Sequence, residues 1–253
     1  MPPALENKVA IITGAGRGIG KAFALRFAEE GAKLLLPDIS LERAEGTAKE
    51  IQAKGGKAIA METDISNENA TIKMTEKVIE QYGKIDILLN NAAIFYGVEE
   101  KPWDTRTVEE WDRIFAVNVR GTWLVCKAIA PLMIKQSRGK IINIASNIIK
   151  NPQSHLLLHY TCSKAAVYTL TQSLARALGS SGINVNAIAP GFTVTEATID
   201  KLEEMFESVT KARCIPRREQ PADLVGTAVF LASADSDFIT GQVIFVDGGS
   251  VLV

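Results

Sequence analysis

Short apolar runs alternate along the chain with longer segments of helical period. Seven runs read as strands: Val9–Thr13, Lys33–Pro37, Ala58–Glu62, Ile85–Asn90, Lys140–Ala145, Ile183–Ala189 and Gln242–Val246. Most are apolar almost without interruption, the pattern of strands buried on both faces. Between them, apolar positions recur at helical spacing over Ile19–Glu30, Leu41–Lys54, Asn67–Tyr82, Val108–Lys135, Tyr160–Leu178 and Pro221–Ala232. "SNENA" opens the third of these as a helix start, and Gly31 closes the first. This succession predicts an α/β fold: a doubly wound parallel sheet of about seven strands, with helices on both faces. No linker or shift in composition divides the chain, so residues 1–253 read as one domain. Residues 191–216 break the rhythm, with helical pattern but no strand. An excursion there, at the carboxyl end of a strand, is expected to form a substrate lid.

Composition changes this picture little. Apolar residues make up 47%, charged residues 23%, and the net charge is −1. That is ordinary for a globular protein and gives no electrostatic reason to expect nucleic acid or an anionic membrane as partner. No apolar run approaches the roughly 18 residues of a membrane span. "MPPALENKVAIIT" has no basic segment ahead of its apolar stretch, so no secretory signal is expected. Cys126, Cys162 and Cys214 are odd in number and far apart, which favours a reducing, cytoplasmic location.

Chemistry first shows in "IITGAGRGIGKAF". Gly14, Gly16, Gly18 and Gly20 follow the first strand and run into a helix near Ile19. A tight turn and close backbone approach need residues without Cβ, and a helix N-terminus offers N–H groups to a pyrophosphate. The spacing is TGxxxGxG rather than strict GxGxxG, and such a loop can also be a plain structural turn. Asp38 ends the second strand, about twenty residues on, where a carboxylate bonds ribose hydroxyls and repels a 2′-phosphate. This favours NAD over NADP, with Asp38 as a mere helix cap the bland alternative. Ile39 and Ser40 bring no basic residue beside it, but Arg17 in the loop is a contrary sign. Pro37 deletes a ladder donor and is expected where strand pairing has ended.

The ordered motifs resemble the short-chain dehydrogenase/reductase family. They are "TGAGRGIG" (13–20), "NNAA" (90–93), Asn118 in "FAVNVRGT", Ser146 in "INIASN", "YTCSK" with Tyr160 and Lys164, and "PG" at Pro190–Gly191. The resemblance runs from Lys8 to "VDGG" (Asp247–Gly249), with Ala93 where glycine is usual. It implies a Rossmann-type fold and a nicotinamide cofactor. It also implies a catalytic set: Tyr160 as general acid/base, Lys164 on the nicotinamide ribose, Ser146 on the substrate oxygen, and Asn118 holding a water in a proton relay. By the same resemblance, Gly14, Arg17, Gly18, Ile19 and Gly20 cradle the dinucleotide. Asp64 and Ile65 flank the adenine, Asn90 and Ala92 line the ribose side, and Pro190, Gly191, Thr193 and Thr195 reach toward the nicotinamide. A homotetramer built through the helices near Val108–Lys135 and Tyr160–Leu178 and the tail "SVLV" is a further implication.

The Tyr–x–x–x–Lys spacing also has its own physical sense. A phenol near pH 10 must fall by about 3 in pKa, about 4 kcal/mol, to serve as a base near neutrality. A lysine one helical turn on brings a cation to the same face, which favours the phenolate. Candidate pocket residues are mostly apolar or aromatic: Phe95, Ile148 and His155, with Ser146 and Tyr160 at the reacting end. Lys150, Lys211 and Arg213 are scattered rather than clustered as an anion clamp. The expected activity is hydride transfer between NAD and a small apolar or aromatic secondary alcohol or its ketone. The alternatives are a 3-oxoacyl-(acyl-carrier-protein) reductase using NADPH and a non-catalytic NAD-binding regulator. His155 and His159, the chain's two histidines, have metal-ligand spacing for one helix face. No third ligand accompanies them, so no metal is expected.

Overall fold

The computed structural model describes residues 3–150, 154–199 and 203–252. Within them lie all seven expected strands: β1 Val9–Ile12, β2 Lys33–Asp38, β3 Lys57–Glu62, β4 Ile87–Asn90, β5 Gly139–Ile144, β6 Ile183–Pro190 and β7 Val243–Val246. They form one sheet in the order β3-β2-β1-β4-β5-β6-β7, every pairing parallel. The chain winds outward from β1 to β3, then returns to place β4 on the other side of β1. That reversal opens a crevice beyond the carboxyl ends of β1 and β4, where ligands of such sheets bind.

Alternation along each strand divides the core into two layers. Ile12, Leu34, Leu36, Leu89 and Ile142 pack with Phe23 and Phe27 of α1 (Gly18–Glu29), Ile51 of α2 (Leu41–Ala53) and Leu224 of α8 (Pro221–Ala232). Ile11, Leu35, Leu88, Ile141 and Val185 face the opposite way. They meet Met74 of α3 (Glu68–Tyr82), Ile129 and Met133 of α5 (Thr122–Gln136), and Leu178 of α6 (Leu158–Leu178). Continuous apolar runs are therefore needed because both strand faces are dry.

Three departures from the sequence expectations have local causes. Pro37 lies inside β2, opposite Met61 of β3, so pairing has not ended there. Its carbonyl accepts from Gly14 N (2.8 Å) on the β1 side. In a strand, a residue's nitrogen and carbonyl point the same way, so the missing donor also faces that side, where the β1 ladder has stopped. The long helix expected over Val108–Lys135 is α4 (Val108–Phe115), a π-helical turn over Ala116–Gly121, and α5. This whole span of 29 residues is long and apolar enough to cross a membrane by length and composition, yet half of its most apolar window is buried within the protein. Its apolarity serves the core facing α3 and the sheet. The expected lid contains α7 (Glu203–Lys211), with residues 200–202 outside the described set.

Phe27 is fully buried at the α1–sheet contact. Phe27→Ala is expected to lower the unfolding free energy by about 3–5 kcal/mol, measured by urea denaturation.

Candidate active site

A cleft of about 1110 Å³ runs along the carboxyl ends of the strands. At one end, Gly14 (φ +66°) and Gly18 (φ +54°) adopt left-handed backbone that side chains resist. A Cβ on Gly20 would sit 2.1 Å from the Gly14 carbonyl oxygen, so α1 packs against the turn only with glycine there. Among the described residues no side chain caps α1, and no acidic residue occupies its first turn. Its N–H groups thus face the cleft beside Arg17, Ile19 and Gly20, all cleft-lining. The loop is locked from across the sheet: Thr13 Oγ1 accepts from Asn91 N and Ala92 N, and Asn91 Nδ2 donates to the carbonyls of Thr13 and Gly14, each at 3.0 Å.

Asn91 is thus the asparagine of "NNAA" that borders the cleft. The side chain of Asn90 turns into the sheet instead, donating to Asn143 Oδ1 (2.9 Å) and toward Cys126 Sγ. Period-two alternation explains this: Asn90 shares a face with Leu88, whose neighbours are on α5.

Asp38 is buried at the end of β2, its Oδ2 accepting from Gly16 N (2.9 Å) and its Oδ1 from Ser40 N (2.9 Å). A basic residue does wait beside it. Arg43, one turn into α2, pairs with Oδ1 at 3.3 Å. Arg17 lies elsewhere, its guanidinium 4.7 Å from the centre of the Tyr96 ring. Further along the cleft, Asp64 is exposed and bonds Ser66, whereas Ile65 is buried against Gly121. Thr63 Oγ1 is buried there without a partner among the described residues. Glycines that exclude a Cβ, an open helix N-terminus, a carboxylate at the end of β2 and an unpaired hydroxyl together fit a dinucleotide.

At the other end stand Ser146, Tyr160 and Lys164, with Asn118 buried beside them. Asn118 is buried on the π-helical turn, a geometry that recurs at functional sites. Its Oδ1 accepts from Ile94 N (2.7 Å), and its Nδ2 donates to Ser163 Oγ (3.1 Å). Ser163 in turn donates to the Tyr160 carbonyl (2.7 Å), so Asn118 fixes the first turns of α6 to the loop after β4. Lys164 Nζ donates to the Ile144 carbonyl (2.7 Å) and lies 5.8 Å from the centre of the Tyr160 ring. Burial pushes the Lys164 ammonium down to about 8. Burial raises the Tyr160 phenol above its ordinary value, and a hydrogen bond with Ser146 opposes the rise. Ser146 thus eases phenol ionisation in this geometry, with Lys164 Nζ on the same side of the helix as the ring.

The substrate-side wall is apolar. Phe95 packs on Tyr160 with ring centres 5.0 Å apart, and Ile148, Leu156, Leu157, Phe192 and Val209 also border the cleft. His155 borders it too, exposed on a short 3-10 turn, whereas His159 is buried on α6. The two do not share a helix face, and among the described residues no group of three or more His, Cys, Asp or Glu could hold a metal.

Behind Pro190 and Gly191, which line the cleft, lies a buried polar knot. Arg213 pairs with Glu219 at 3.1 Å, and Thr193 Oγ1 donates to Glu219 at 2.7 Å. Thr193 therefore anchors the start of the 191–216 excursion, while Thr195 rests against Gly18 and faces the cleft. Arg213 is no loose cation on the lid, and Cys214 Sγ turns to the Gly249 carbonyl. Nearby, Asn147 Nδ2 donates to Asp247 (3.0 Å), whose carboxylate also accepts from the backbone of Gly249, Ser250 and Val251. Sequence patterning offers no sign of these two long-range ties. Burial already raises the Glu219 carboxyl. Removing its cation by Arg213→Met is expected to cost about 3–5 kcal/mol near pH 7. The raised carboxyl makes the native variant hold more protons than its unfolded chain, so its deficit grows as pH rises above the ordinary carboxylate range and shrinks below it. Urea denaturation of both proteins at acid and neutral pH measures this.

Comparison with known proteins agrees with this fold. The family model described as enoyl-(acyl carrier protein) reductase matches residues 14–250. Galactitol 2-dehydrogenase of Agrobacterium fabrum is 44% identical over 97% of this chain and 98% of that protein. A 3-oxoacyl-(acyl-carrier-protein) reductase of Thermotoga maritima is 39% identical over 98% of this chain and 99% of its own. The structure of a 3-oxoacyl-(acyl-carrier protein) reductase from Brucella melitensis with bound NAD superposes with a TM-score of 0.90 at 31% identity, covering 99% of this chain and 94% of that one. The chain belongs to the short-chain dehydrogenase/reductase family.

Proposed function

We propose that the protein transfers hydride between NAD and a secondary alcohol or its ketone, with an apolar or aromatic group beside the reacting carbon. The carrying observation is the Tyr160 phenol, hydrogen-bonded to Ser146 and packed on Phe95, in the cleft that also holds the glycine cradle. The dinucleotide, bound by residues 14–20 and Asp38, supplies the hydride acceptor or donor. In oxidation, Tyr160 in its ionised form takes the hydroxyl proton from the alcohol; in reduction the neutral phenol gives one to the carbonyl oxygen. Ser146 holds that oxygen, and Asn118 keeps the first turns of α6 in place. Lys164, with its pKa near 8, sits where a proton can leave or enter below the phenol.

Asp38 supports NAD, because its buried carboxylate opposes a 2′-phosphate. Arg43 beside it is the observation that keeps NADP in play, since it offsets part of that charge. The 3-oxoacyl reductase reading needs NADPH and loses support from Asp38. Exposed Trp123 on α5, and the groove that Phe115, Val119 and Trp123 form with Leu170 of α6, support a homotetramer. The three free cysteines fit a cytoplasmic setting.

A panel of apolar secondary alcohols, galactitol and a 3-oxoacyl thioester, assayed with NAD(H) and NADP(H), tests the proposal. The expected result is turnover of the apolar alcohols with NAD favoured; a strong NADPH preference with the thioester overturns it. Tyr160→Phe is expected to lower kcat by at least about 100-fold while NAD still binds, by fluorescence titration. Ser146→Ala removes the bond that lowers the phenol, so the acidic limb of the alcohol-oxidation pH profile should move to higher pH.

A further inference from the structure

We propose that Arg106 is a positioning residue that fixes the substrate-side wall by tying two distant segments together. It follows a short 3-10 turn (Trp103–Thr105) and immediately precedes the Thr107 cap of α4. Its side chain is 5% exposed, and its Nη1 lies 3.9 Å from Glu110, one turn on; arginine is rarely so buried unless paired. Nη2 donates to two carbonyls at once: that of Glu99 and, at 2.8 Å, that of Leu156. Lys101 N donates to the same Leu156 carbonyl at 3.1 Å. Lys101 Nζ then meets Glu110 at 2.7 Å, and Glu110 also accepts from Thr107 N in the capping box of α4. The tie thus ends on a helix.

The two segments it joins form facing parts of one wall. Phe95, Tyr96 and Val98 line the cleft from the first; Leu156 and Leu157 line it from the second, which runs directly into Tyr160. Neither has strand pairing to set its shape, so side-chain bonds to backbone carbonyls must do so. The two N–H groups of Nη2 are held in the guanidinium plane, so they fix the directions of both bonds, whereas an ammonium's three donors rotate. Arg106 and Glu110 do not themselves border the cleft, so neither is a catalytic residue. Their effect passes through the spacing between Phe95 and Leu156.

A small alcohol needs only Ser146 and Tyr160, whereas a large one touches both parts of the wall. Loss of the tie should therefore penalise substrates in proportion to their size. This rests on the apolar-alcohol reading above, and the experiment separates the two. KM and kcat are measured for 2-propanol, cyclohexanol and 1-phenylethanol in wild type, Arg106→Met and Arg106→Lys, with NAD affinity measured separately. Arg106→Met is expected to raise KM for 1-phenylethanol by about 10-fold, leave 2-propanol within about 2-fold, and leave NAD affinity unchanged; Arg106→Lys should recover part of the loss. Equal losses for all three alcohols, or a matching loss of NAD affinity, overturn the proposal. Hydrogen exchange gives a readout that needs no substrate: peptides covering 95–101 and 154–158 should exchange faster in Arg106→Met, with β4 unchanged. If exchange stays at the wild-type rate, the tie is refuted even where alcohols are turned over. If wild type turns over none of the alcohols, the substrate reading fails and exchange alone decides the tie. Should Arg106→Met not fold, Lys101→Met breaks the link to Glu110 and is expected to give the same pattern at smaller size; no size dependence in it overturns the proposal.

Discussion

The hydroxyl of Thr13 is the point on which the site hangs. It is fully buried where the sheet reverses direction, and it accepts from two successive N–H groups of the loop after β4. Parallel strands carry no hairpin to fix the spacing of their ends, so a crevice at their carboxyl edge has no width of its own. Here that width is set by Thr13 and returned by Asn91, which bonds the carbonyls of Thr13 and Gly14. The glycine turn lies on one side of this lock. Ile94 lies just past it on the other and carries the bond to Asn118. One pair of side chains thus places the cradle and the proton-transfer end relative to each other.

The interior around the site is unusually polar for so apolar a chain. Asn143, Thr171, Ser163, Lys164, Arg213 and Glu219 are all buried. Each finds a partner: Asn143 bonds Asn90 and Thr171, and Arg213 bonds Glu219 and the Phe192 carbonyl. Such groups add little to stability when paired but are costly when a partner is lost, so they make the arrangement specific. Tyr160 and Lys164 are the exception in kind. Burial opposes charge on both, raising one pKa and lowering the other.

The fold was legible because parallel strands buried on both faces must be continuously apolar, and the runs stand out within a residue or two of β1 to β7. Ser146, Tyr160 and Lys164, picked out by order and spacing, line one cleft, and Asn118 is buried next to it. What escaped the sequence is direction and distance. Whether Asn90 or Asn91 faces the crevice depends on where β4 stops. Arg43 escaped because a salt-bridge partner one turn into a helix is not a neighbour in the chain. The π-helical turn around Asn118 escaped because its apolar spacing is compatible with an unbroken helix. Thr193 with Glu219, and Asn147 with Asp247, lie 26 and 100 residues apart and meet only after the chain between them has folded back.

That last contact has a bearing on how the protein comes into being. Asn147 follows Ser146 directly, yet its carboxylate partner arrives 100 residues later, just after the final strand. At ordinary rates of synthesis the ribosome takes on the order of 10 s to cover that distance. A nascent chain therefore carries every proton-handling side chain well before it carries the group that seats the serine's turn. The contact between Asn147 and Asp247 therefore forms only after β7 has been made, and a product lacking β7 would own the reactive residues without that contact.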